Sequence, residues 1–513
     1  MAAVIETDQA EIVAFLCRGT SFGLSGAPVE RIETHAASIF LIGARAYKMK
    51  RAVRYSFLDF STLARRQAVL EAELRLNRRT APRLYRRVLP ITRGANGELV
   101  LDGPGEPIEW LLEMERFDQA ALLDHLADRG DLTARLIDQL AQEIIDFHAT
   151  AEIRRDLGGH AGMAEVIEGN AKDLQILAGT ILPPETVEAV NRASLAELNR
   201  CRQLLERRRQ EGHVRHCHGD LHLRNIFLWK GRPTLFDCLE FDENLACIDV
   251  LYDLAFLLMD LEHRGRRDFA NLAVNRYLQR TGDLGGLAAL PLFLSCRAAI
   301  RAKVEASGAA VQRDEAEADG MRAAARDYLS LATAFLAPHA PTLIGIGGES
   351  GSGKSTIAAA AAPRLGGAPG ALVLRSDVTR KRLFGRLMED SLSQEAYGKK
   401  ATERTYGRLI EDAKIALASG MTVIADAVYA DPAERDALEQ AARDAGAPFH
   451  GFWIDVPLEI RIERVSGRRG DASDATVAFL RAHPTREQGP MGWTRIDASG
   501  AVEEVTERLL DKV

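Results

Sequence analysis

Alternating apolar and polar residues mark the early part of the chain, over residues 31–50 and around a turn-like Gly-Ala-Arg. A period of two along the chain predicts a short antiparallel β-meander. Residues of about 62–79 then place Leu63, Leu70 and Leu74 at helical spacing, with charged residues on the opposite side. The pattern therefore predicts a small sheet followed by an amphipathic helix.

Short apolar runs after Pro82 are separated by Gly and Asn residues, which predicts further strands joined by tight turns. Helical periodicity then dominates residues of about 118–212 and 246–337. The second helical block ends in Phe-Leu-Ala-Pro-His-Ala-Pro-Thr, whose two prolines, Pro338 and Pro341, predict a linker.

After this linker, apolar runs alternate with glycine loops and helical patterns. The runs Ala-Leu-Val-Leu-Arg-Ser-Asp, Thr-Val-Ile-Ala-Asp-Ala-Val-Tyr and Phe-His-Gly-Phe-Trp-Ile-Asp-Val are each followed by a helical pattern. Such alternation favours a parallel sheet covered by helices. We therefore predict a chain of class α/β and α+β, with a first domain at 1–337, a linker at 338–341 and a second domain at 342–513.

The bulk composition fits this division. The chain has 513 residues, of which 46% are hydrophobic and 27% charged, and this is the balance of a soluble globular protein with more than one core. The net charge of -7 gives no global attraction to nucleic acid.

Localisation is inferred from the cysteines and from the amino-terminal segment. Six cysteines at irregular spacings, with no CxxC pair, predict buried thiols in a reducing compartment. The amino-terminal segment has acidic residues where a signal peptide needs basic ones, and no uninterrupted apolar run approaches the roughly 20 residues of a membrane helix. We expect a cytoplasmic protein with no membrane partner.

The strongest motif begins the second domain. Residues 348–355 read Gly-Glu-Ser-Gly-Ser-Gly-Lys-Ser, a complete GxxxxGK[ST] match between an apolar strand and a helix. Glycines let the backbone wrap around phosphate oxygens, a lysine reaches the β and γ phosphates, and a serine hydroxyl holds Mg²⁺. The nucleotide-binding residues expected here are Gly348, Glu349, Ser350, Gly351, Ser352, Gly353, Lys354, Ser355 and Thr356.

Two carboxylates and an arginine follow at strand ends. Asp377 and Arg380 come just past the second strand, where an aspartate could accept a proton from a hydroxyl and an arginine could hold an anionic acceptor. Asp426 ends the next strand and is a candidate for the Mg²⁺ water shell. A helix or strand cap remains the alternative for each aspartate.

Four arginines, Arg461, Arg464, Arg468 and Arg469, lie on a helix and on the Gly-rich segment behind it. We expect a mobile lid in which Arg464 and Arg468 contact the nucleotide phosphates, the alternative being a solvated basic helix. With the motifs above, this segment resembles the P-loop small-molecule and polynucleotide kinases, including shikimate-, gluconate- and zeta-toxin-like kinases of the AAA type. The resemblance covers about residues 342–513 and implies a kinase with a three-layer parallel sheet.

The first domain carries a second motif. His218, Asp220 and Asn225 form HGDxxxxN, and Asp237 follows twelve residues later at the end of an apolar strand. In this arrangement the first aspartate accepts the proton of the acceptor hydroxyl, while Asn225 and Asp237 would bind Mg²⁺. A zinc site built from the neighbouring histidines is the disfavoured alternative.

This stretch resembles the aminoglycoside phosphotransferase and choline kinase family, over about residues 25–335. The resemblance implies a two-lobed, protein-kinase-like fold and a nucleotide-binding lysine on the third strand. Lys48 is the candidate lysine, with Lys50 as the alternative, and Glu73 is its candidate partner, with Glu71 as the alternative.

Further positions come from the same resemblance. It implies an adenine-binding hinge near residues 113–115 and a brace for the catalytic loop at Asp253. There is no GxGxxG loop, so the segment Thr-His-Ala-Ala-Ser, with His35 and Ser38, would have to cover the phosphates.

Taken together, these features predict a bifunctional ATP- and Mg²⁺-dependent kinase acting on hydroxyls of small polar acceptors, such as a sugar or an aminocyclitol. One alternative is that the second domain phosphorylates a polynucleotide end, since Arg375, Arg380, Lys381, Arg382 and Arg386 lie close together, with Lys399 and Lys400 beyond. The acidic total and the lack of interleaved aromatic residues argue against this alternative. Another alternative is that one domain is a nucleotide-gated regulatory module.

Overall fold

The computed structural model describes residues 4–5, 9–34, 36–54, 59–388, 390–467, 472–483 and 488–513. The chain packs into two compact units, each built from discontinuous segments. The first unit comprises residues 1–177, 205–257 and 303–325, and the second comprises residues 178–204, 258–302 and 326–513.

The described residues form the following strands and helices, which are numbered separately in chain order. The strands are β1 (Val4–Ile5), β2 (Glu30–Glu33), β3 (Ala37–Ile42), β4 (Arg45–Lys50), β5 (Val53–Arg54), β6 (Tyr85–Arg93), β7 (Leu99–Leu101), β8 (Pro107–Glu115), β9 (Val214–His216), β10 (Ile226–Trp229), β11 (Arg232–Leu235), β12 (Cys247–Asp249), β13 (Leu343–Gly348), β14 (Leu372–Arg375), β15 (Val423–Asp426), β16 (Phe449–Asp455) and β17 (Thr494–Asp497). The helices are α1 (Ala10–Leu16), α2 (Leu63–Asn77), α3 (Leu123–Asp128), α4 (Ala134–Thr150), α5 (Gly159–Leu177), α6 (Pro184–Glu211), α7 (Glu243–Ala246), α8 (Val250–His263), α9 (Arg267–Thr281), α10 (Leu290–Ala309), α11 (Glu315–Phe335), α12 (Lys354–Ala361), α13 (Ser376–Leu383), α14 (Lys399–Ala418), α15 (Pro432–Asp444), α16 (Leu458–Ser466), α17 (Val477–Ala482) and α18 (Val502–Leu510).

The first unit contains a six-stranded sheet in the order β2-β3-β4-β8-β6-β7, with antiparallel pairing throughout. The meander expected over residues 31–50 is confirmed as β2, β3 and β4. The helix predicted after the meander is confirmed as α2, which begins after Thr62, whose hydroxyl accepts a hydrogen bond from the Arg65 amide. The predicted separation of apolar and charged sides is wrong, because Arg66 and Glu73 are buried on α2 together with Leu70. The Thr62 cap fixes where the helix begins, because it satisfies one of the amides that a helix start leaves without a partner.

The second unit contains a five-stranded parallel sheet in the order β14-β15-β13-β16-β17. Buried residues of β13, β15, β16 and β17 pack with α12 and α18 on one face of this sheet. Helices α14 and α15 contact the sheet as well. The expected alternation of strands and helices is confirmed, whereas the short strand β17 was not predicted because it carries one buried apolar residue, Ile496.

The fold class is the predicted mixture of α and β structure, with a parallel sheet in the second unit. The units group residues by packing, whereas the predicted boundaries at 1–337, 338–341 and 342–513 follow motifs, so those boundaries stay a prediction. Among the described residues, one helical stretch, Leu284–Ala309, is long and apolar enough to cross a membrane by length and composition alone, and 72% of its most apolar window is buried in the protein. The core helices of soluble proteins meet the same criterion.

Candidate functional site

Three charged side chains from distant parts of the chain meet in the first unit. Lys48 projects from β4, and its Nζ lies 2.7 Å from Glu73 Oε1 of α2 and 2.8 Å from Asp237 Oδ1. Glu73 is fully buried, whereas the side chain of Asp237 is 40% exposed. The sequence named all three residues, and the structure brings them together with the exposed carboxylate facing outward.

A second lysine joins this cluster. Lys50, two residues further along β4, places its Nζ 2.7 Å from the other Glu73 oxygen and 2.6 Å from Glu240 Oε1. Sequence reasoning offered Lys50 only as an alternative to Lys48 and did not name Glu240. Both lysines share Glu73, so its carboxylate is held from both oxygens. Glu71, the alternative to Glu73, instead accepts a hydrogen bond from Gln67 at an exposed position.

The charges in this cluster stabilise one another despite burial. Burial lowers the pKa of Lys48, but the carboxylates of Asp237 and Glu73 outweigh it and hold that pKa well above its usual value. Burial raises the pKa of Asp237, and the neighbouring Lys48 reverses this, so the net pKa of Asp237 is lowered. Lys48 is therefore cationic and Asp237 anionic at neutral pH.

Asp237 adopts an unusual backbone conformation, with a φ of 60°. This left-handed region is disfavoured for residues other than glycine and is tolerated mainly where the surroundings enforce it. The Asp237 amide donates to the hydroxyl of Tyr85 at 3.1 Å, and the Cys238 amide donates to Asn77 Oδ1 at 2.8 Å. Tyr85 and Asn77 thus hold the turn that presents the Asp237 carboxylate, and sequence reasoning missed both because neither belongs to a motif.

The HGDxxxxN segment connects β9 to β10 and presents Asp220 and Asn225 together. Asn225 Nδ2 donates to Asp220 Oδ2 at 2.8 Å and to the Asp220 carbonyl at 2.9 Å. His222 Nε2 lies 3.3 Å from the same Asp220 carboxylate oxygen. The Asp220 side chain is 41% exposed, so the carboxylate is held by its neighbours and still reaches the surface.

Asp253, on α8, supports this loop through hydrogen bonds to the loop backbone. Its fully buried carboxylate accepts hydrogen bonds from the amides of His218 and Gly219, at 3.1 and 2.9 Å, and lies 3.0 Å from His148 Nε2. The brace expected at Asp253 is therefore present as contacts. The ligand atoms of His148, Cys217 and Asp253 lie within 4.8 Å of one another. Because both Asp253 oxygens accept backbone hydrogen bonds, the contacts of this carboxylate are those of a loop support.

Asp253→Asn is expected to destabilise the first unit by about 3 kcal/mol, since the amide keeps one acceptor oxygen but would turn its NH2 group toward the second of the two buried backbone donors. The midpoint of urea-induced unfolding, compared with that of the wild type, measures the effect. Asp131→Asn is the matched control, because Asp131 is exposed and pairs with Arg129 in a surface contact of 3.0 Å. Equal midpoints for Asp253→Asn and the wild type would show that the carboxylate does not support the loop.

The glycine-rich segment of the second unit connects β13 to α12. Gly348 and Gly353 have φ values of 147° and 92°, which side chains strongly disfavour, so these positions require glycine. A Cβ at Gly348 would also lie 2.6 Å from the Ile454 carbonyl oxygen. The loop therefore forms the tight backbone curve that the motif predicts, with α12 beginning at Lys354.

Lysine and serine side chains follow the curve at the start of α12. Lys354 Nζ donates to the Glu349 carbonyl at 3.0 Å, across the loop. Ser355 Oγ donates to Asp426 Oδ2 at 2.5 Å, and Asp426 is almost completely buried at the end of β15. The structure thus brings together the hydroxyl and the carboxylate that the sequence assigned to Mg²⁺.

Asp377 and Arg380 lie in α13, immediately after β14. Burial raises the pKa of Asp377, against the opposing influence of Arg375. Arg380 is buried, donates to the Ala396 carbonyl at 2.6 Å and lies over the Tyr397 ring, 4.9 Å from its centroid. Both residues line one cavity of about 1240 Å³ together with Lys354 and Ser355.

The structure describes two of the four arginines expected in the lid, Arg461 and Arg464. Arg464, on α16, donates to the carbonyls of Ser352 and Ala498 at 2.9 and 2.7 Å, and it lines the same cavity. Arg461 lies on the same helix and is buried. Arg468 and Arg469 lie outside the described residues, as does His35 of the first unit. Nucleotide contact by Arg464 and Arg468 stays a prediction.

Asp474, which no motif identified, links three segments around the cavity. Its carboxylate accepts hydrogen bonds from the Tyr397 hydroxyl at 2.6 Å and the Leu392 amide at 3.1 Å, and lies 3.2 Å from Lys381 Nζ. An aspartate in a polar segment gives no periodic signal for its distant partners, so these partners emerge only in the folded chain.

Two family models match the chain. Residues 49–290 match the Phosphotransferase enzyme family, and residues 343–484 match an AAA domain. The chain is 30% identical over 478 residues to an uncharacterized protein of Mycobacterium tuberculosis strain H37Rv and to one of Mycobacterium bovis, with 92% of each chain covered. The first match begins one residue after Lys48 and includes Glu73, Asp220, Asn225 and Asp237, and the second contains the complete P-loop motif.

Solved structures similar to parts of the chain include two kinases. A choline/ethanolamine kinase family protein from Mesorhizobium loti is 14% identical with a TM-score of 0.38, covering 63% of this chain and 98% of its own. The APS kinase of Mycobacterium tuberculosis in complex with AMPPNP and APS is 21% identical with a TM-score of 0.26, covering 34% of this chain and 98% of its own.

Proposed function

The chain belongs to the same protein family as these mycobacterial proteins and is a kinase, and we propose that each unit transfers the γ-phosphate of ATP to a hydroxyl of a small polar acceptor. One observation carries the proposal: each unit holds an aspartate at a surface or cavity position, Asp220 on a partly exposed loop in the first and Asp377 lining the P-loop cavity in the second. Proton acceptance from a hydroxyl needs a carboxylate that is not consumed by metal binding.

In the first unit, Lys48 would contact the nucleotide phosphates, with Glu73 fixing its position. Asp220 would accept the acceptor proton, because its carboxylate is partly exposed and oriented by Asn225. Asp237 and Asn225 supply oxygen atoms, which Mg²⁺ prefers, and Asp237 is anionic through its contact with Lys48. This division of roles supports phosphoryl transfer in the first unit.

In the second unit, the backbone amides of residues 348–356 would bind the phosphates, and Lys354 would contact the β and γ phosphates. Ser355 and Asp426 fit a Mg²⁺ site, since their oxygens are 2.5 Å apart at the carboxyl edge of the sheet. Bound Mg²⁺ would neutralise charge on the transferred phosphate. Asp377 would accept the acceptor proton, and Arg380 would hold an anionic or polar group of the acceptor.

The raised pKa of Asp377 predicts a pH dependence for the second unit. A carboxyl must be deprotonated to act as a base, so activity is expected to increase as the pH rises through the Asp377 pKa, which burial holds above the usual value for aspartate. On acidification, the rate of P-loop-dependent phosphorylation should therefore begin to fall at a higher pH than it would if Asp377 had the ordinary pKa of an aspartate. Asp377→Asn should remove this acid limb together with the activity. An acid limb at the ordinary aspartate value would contradict the assignment.

A nucleic-acid substrate for the second unit is the competing proposal. Two of the basic residues that suggested it are engaged within the protein: Lys381 is buried and donates to the Met388 carbonyl at 2.8 Å, and Arg382 pairs with Asp412. Aromatic residues are not lacking, contrary to the sequence analysis, since Phe384 and Tyr397 are exposed there. Tyr397, however, is engaged by Arg380 and Asp474, which favours a small acceptor.

The two substrate classes can be separated directly. Purified protein is incubated with MgATP and a mixture of polar metabolites, and mass spectrometry identifies which compound gains a phosphate. A parallel reaction uses single-stranded oligonucleotides at two salt concentrations, since binding through phosphate contacts weakens as salt rises. Phosphorylated metabolites support the proposal, whereas phosphorylated oligonucleotide ends support the competing one. Nucleotide binding without any product in the second unit would favour a regulatory role.

We also propose a cytoplasmic location. All six cysteines lie among the described residues and are present as thiols, and five of them are buried. Thiols of this kind are typical of a reducing compartment.

A further inference from the structure

The edge of the parallel sheet in the second unit is covered by a helix that precedes the P-loop motif by about 70 residues. Strand β14 is the edge strand, with β15 on one side. Helix α9 lies on its other side, and it falls within the part of the chain that matches the Phosphotransferase enzyme family. Edge strands expose unpaired amides and carbonyls, which proteins cover or protect.

Carboxamide side chains of α9 take the place of a neighbouring strand. Asn275 Oδ1 accepts a hydrogen bond from the Val373 amide at 2.7 Å, and Asn275 Nδ2 donates to the Ala371 carbonyl at 3.1 Å. Asn271 Nδ2 donates to the same Ala371 carbonyl at 3.0 Å, and Gln279 Nε2 donates to the Val373 carbonyl at 3.3 Å. A carboxamide has one acceptor and one donor group, as a peptide unit does, so it can satisfy both backbone groups of the strand.

The spacing of the helix matches that of the strand. Residues 271, 275 and 279 are four apart and form one stripe of α9, about 6 Å per step. Two residues of a strand rise about 6.6 Å, so successive outward-facing groups of β14 meet successive steps of the stripe. The Leu372 amide, between them, donates to the Thr422 carbonyl on the side of β15, at 2.9 Å. Both sides of β14 are therefore hydrogen-bonded.

The carboxamide contacts are buried and cooperative. Asn271 and Asn275 are 3% and 6% exposed. Asn275 Nδ2 also lies 3.0 Å from the Asn271 backbone carbonyl and 3.1 Å from Asn271 Oδ1, so the two side chains contact each other. Removing the hydrogen-bond partner of a buried polar group destabilises the folded protein, because water cannot take the place of that partner. The position of β14 is therefore set by α9 as well as by β15.

Strand β14 leads without a loop into the acceptor side of the cavity. Arg375 is its last residue, and Asp377 is the second residue of α13. Val373, whose amide and carbonyl both contact α9, lies four residues before Asp377. A shift of β14 would therefore move the Asp377 carboxylate, whereas the phosphate-binding groups on β13 and α12 belong to other strands and helices.

We propose that Asn275 is a positioning residue for the P-loop site, which acts through β14 to place Asp377 at the acceptor. This inference rests on the proposed function for the identity of the reaction, though not for the contacts themselves. Helix α9, which lies in the segment that matches the Phosphotransferase enzyme family, then helps to position the acceptor side of the P-loop site. Activity of the P-loop site then depends on α9 being folded and in place.

Hydrogen exchange in the full-length protein with bound MgADP tests the contacts. Asn275→Leu keeps the branching and approximate size of the side chain and removes its donor and acceptor. We expect amide exchange of a peptide covering residues 371–383 to rise about tenfold, with exchange over residues 343–361 unchanged. Asn199→Leu is the matched control, because Asn199 is an exposed asparagine on a helix of the same unit.

Gln279→Met is a second, milder variant, since Gln279 is half-buried and makes one hydrogen bond to β14. It should raise exchange of the same peptide about threefold, and it serves if Asn275→Leu fails to fold. Unchanged exchange over residues 371–383 in a folded variant would overturn the inference. A rise spread evenly over both peptides would do so too, since it would indicate general destabilisation.

Kinetics then separates positioning from a purely structural role. With the acceptor phosphorylated by the P-loop site, Asn275→Leu is expected to lower kcat about tenfold and leave the KM for ATP unchanged. Equal loss in nucleotide binding and turnover would contradict positioning. If the wild-type protein yields no P-loop product, the proposed function fails, whereas the exchange result still decides whether α9 holds β14.

Discussion

Asp220→Asn is expected to lower the phosphotransferase turnover of the first unit by about 10³-fold, within the range that a positioned general base contributes. Asparagine preserves the size of the side chain and cannot accept the acceptor proton. The Asn225 amide, 2.8 Å from Asp220 Oδ2, would still find an oxygen in a suitable orientation, so the loop should keep its conformation. The loss is therefore expected in catalysis and not in folding.

Initial rates of phosphate transfer to the acceptor of the first unit measure this effect, and titration with a fluorescent ATP analogue measures binding. Binding should stay within about twofold of the wild type, because Lys48 and Asp237 are untouched. Asp131→Asn, at an exposed position, is the matched control for the same chemical change. Full turnover in Asp220→Asn would exclude this carboxylate as the base.

Lys354→Ala is expected to reduce turnover of the second unit by about 10²- to 10³-fold, because a positively charged donor to the transferred phosphate is lost. Binding of MgATP by the same unit should weaken by about tenfold. The backbone amides and the Ser355 and Asp426 oxygens remain, so some affinity is retained. The glycine loop should persist, since its curve depends on backbone torsion at Gly348 and Gly353 and not on the lysine.

Lys414→Ala is the matched control, because Lys414 is an exposed lysine of the same unit, 2.7 Å from Asp444 at the surface. The two catalytic variants also control each other: Asp220→Asn should leave the P-loop product unchanged, and Lys354→Ala should leave the product of the first unit unchanged. A single product lost in both variants would indicate one reaction shared by the two sites. Second-unit turnover unaffected by Lys354→Ala would contradict the assignment of this lysine to the transferred phosphate.

The separation of the two sites in the sequence is matched by separate sets of contacts. The first set lies wholly in the first compact unit, and the P-loop set lies wholly in the second. Helix α9 and its contacts with β14 belong to the second unit, although α9 lies before residue 337, the predicted end of the first domain. The predicted division at residues 338–341 places α9 in the first domain, whereas packing groups α9 with the P-loop unit.

Motif residues were predictable because their geometry is local. In the P-loop, glycine torsions and the start of α12 set the positions of Lys354 and Ser355 within a few residues. In HGDxxxxN, a short loop between two strands sets Asp220 beside Asn225. Asp377 and Asp426 were predictable from a different rule, since the carboxyl ends of parallel strands meet at one edge of a sheet.

The amino-acid sequence by itself determined the two nucleotide motifs, the periodicities of the main strands and helices and the mixed α/β class, because each depends on neighbours along the chain. Only the tertiary structure decided that Lys50 and Glu240 join the Lys48 cluster, that Tyr85 holds the Asp237 turn, and that Asn275 completes the edge of the parallel sheet. These contacts join residues about 100 or more positions apart. Packing brings such residues together, and hydrophobic period or motif spacing carries no record of which distant partners will meet.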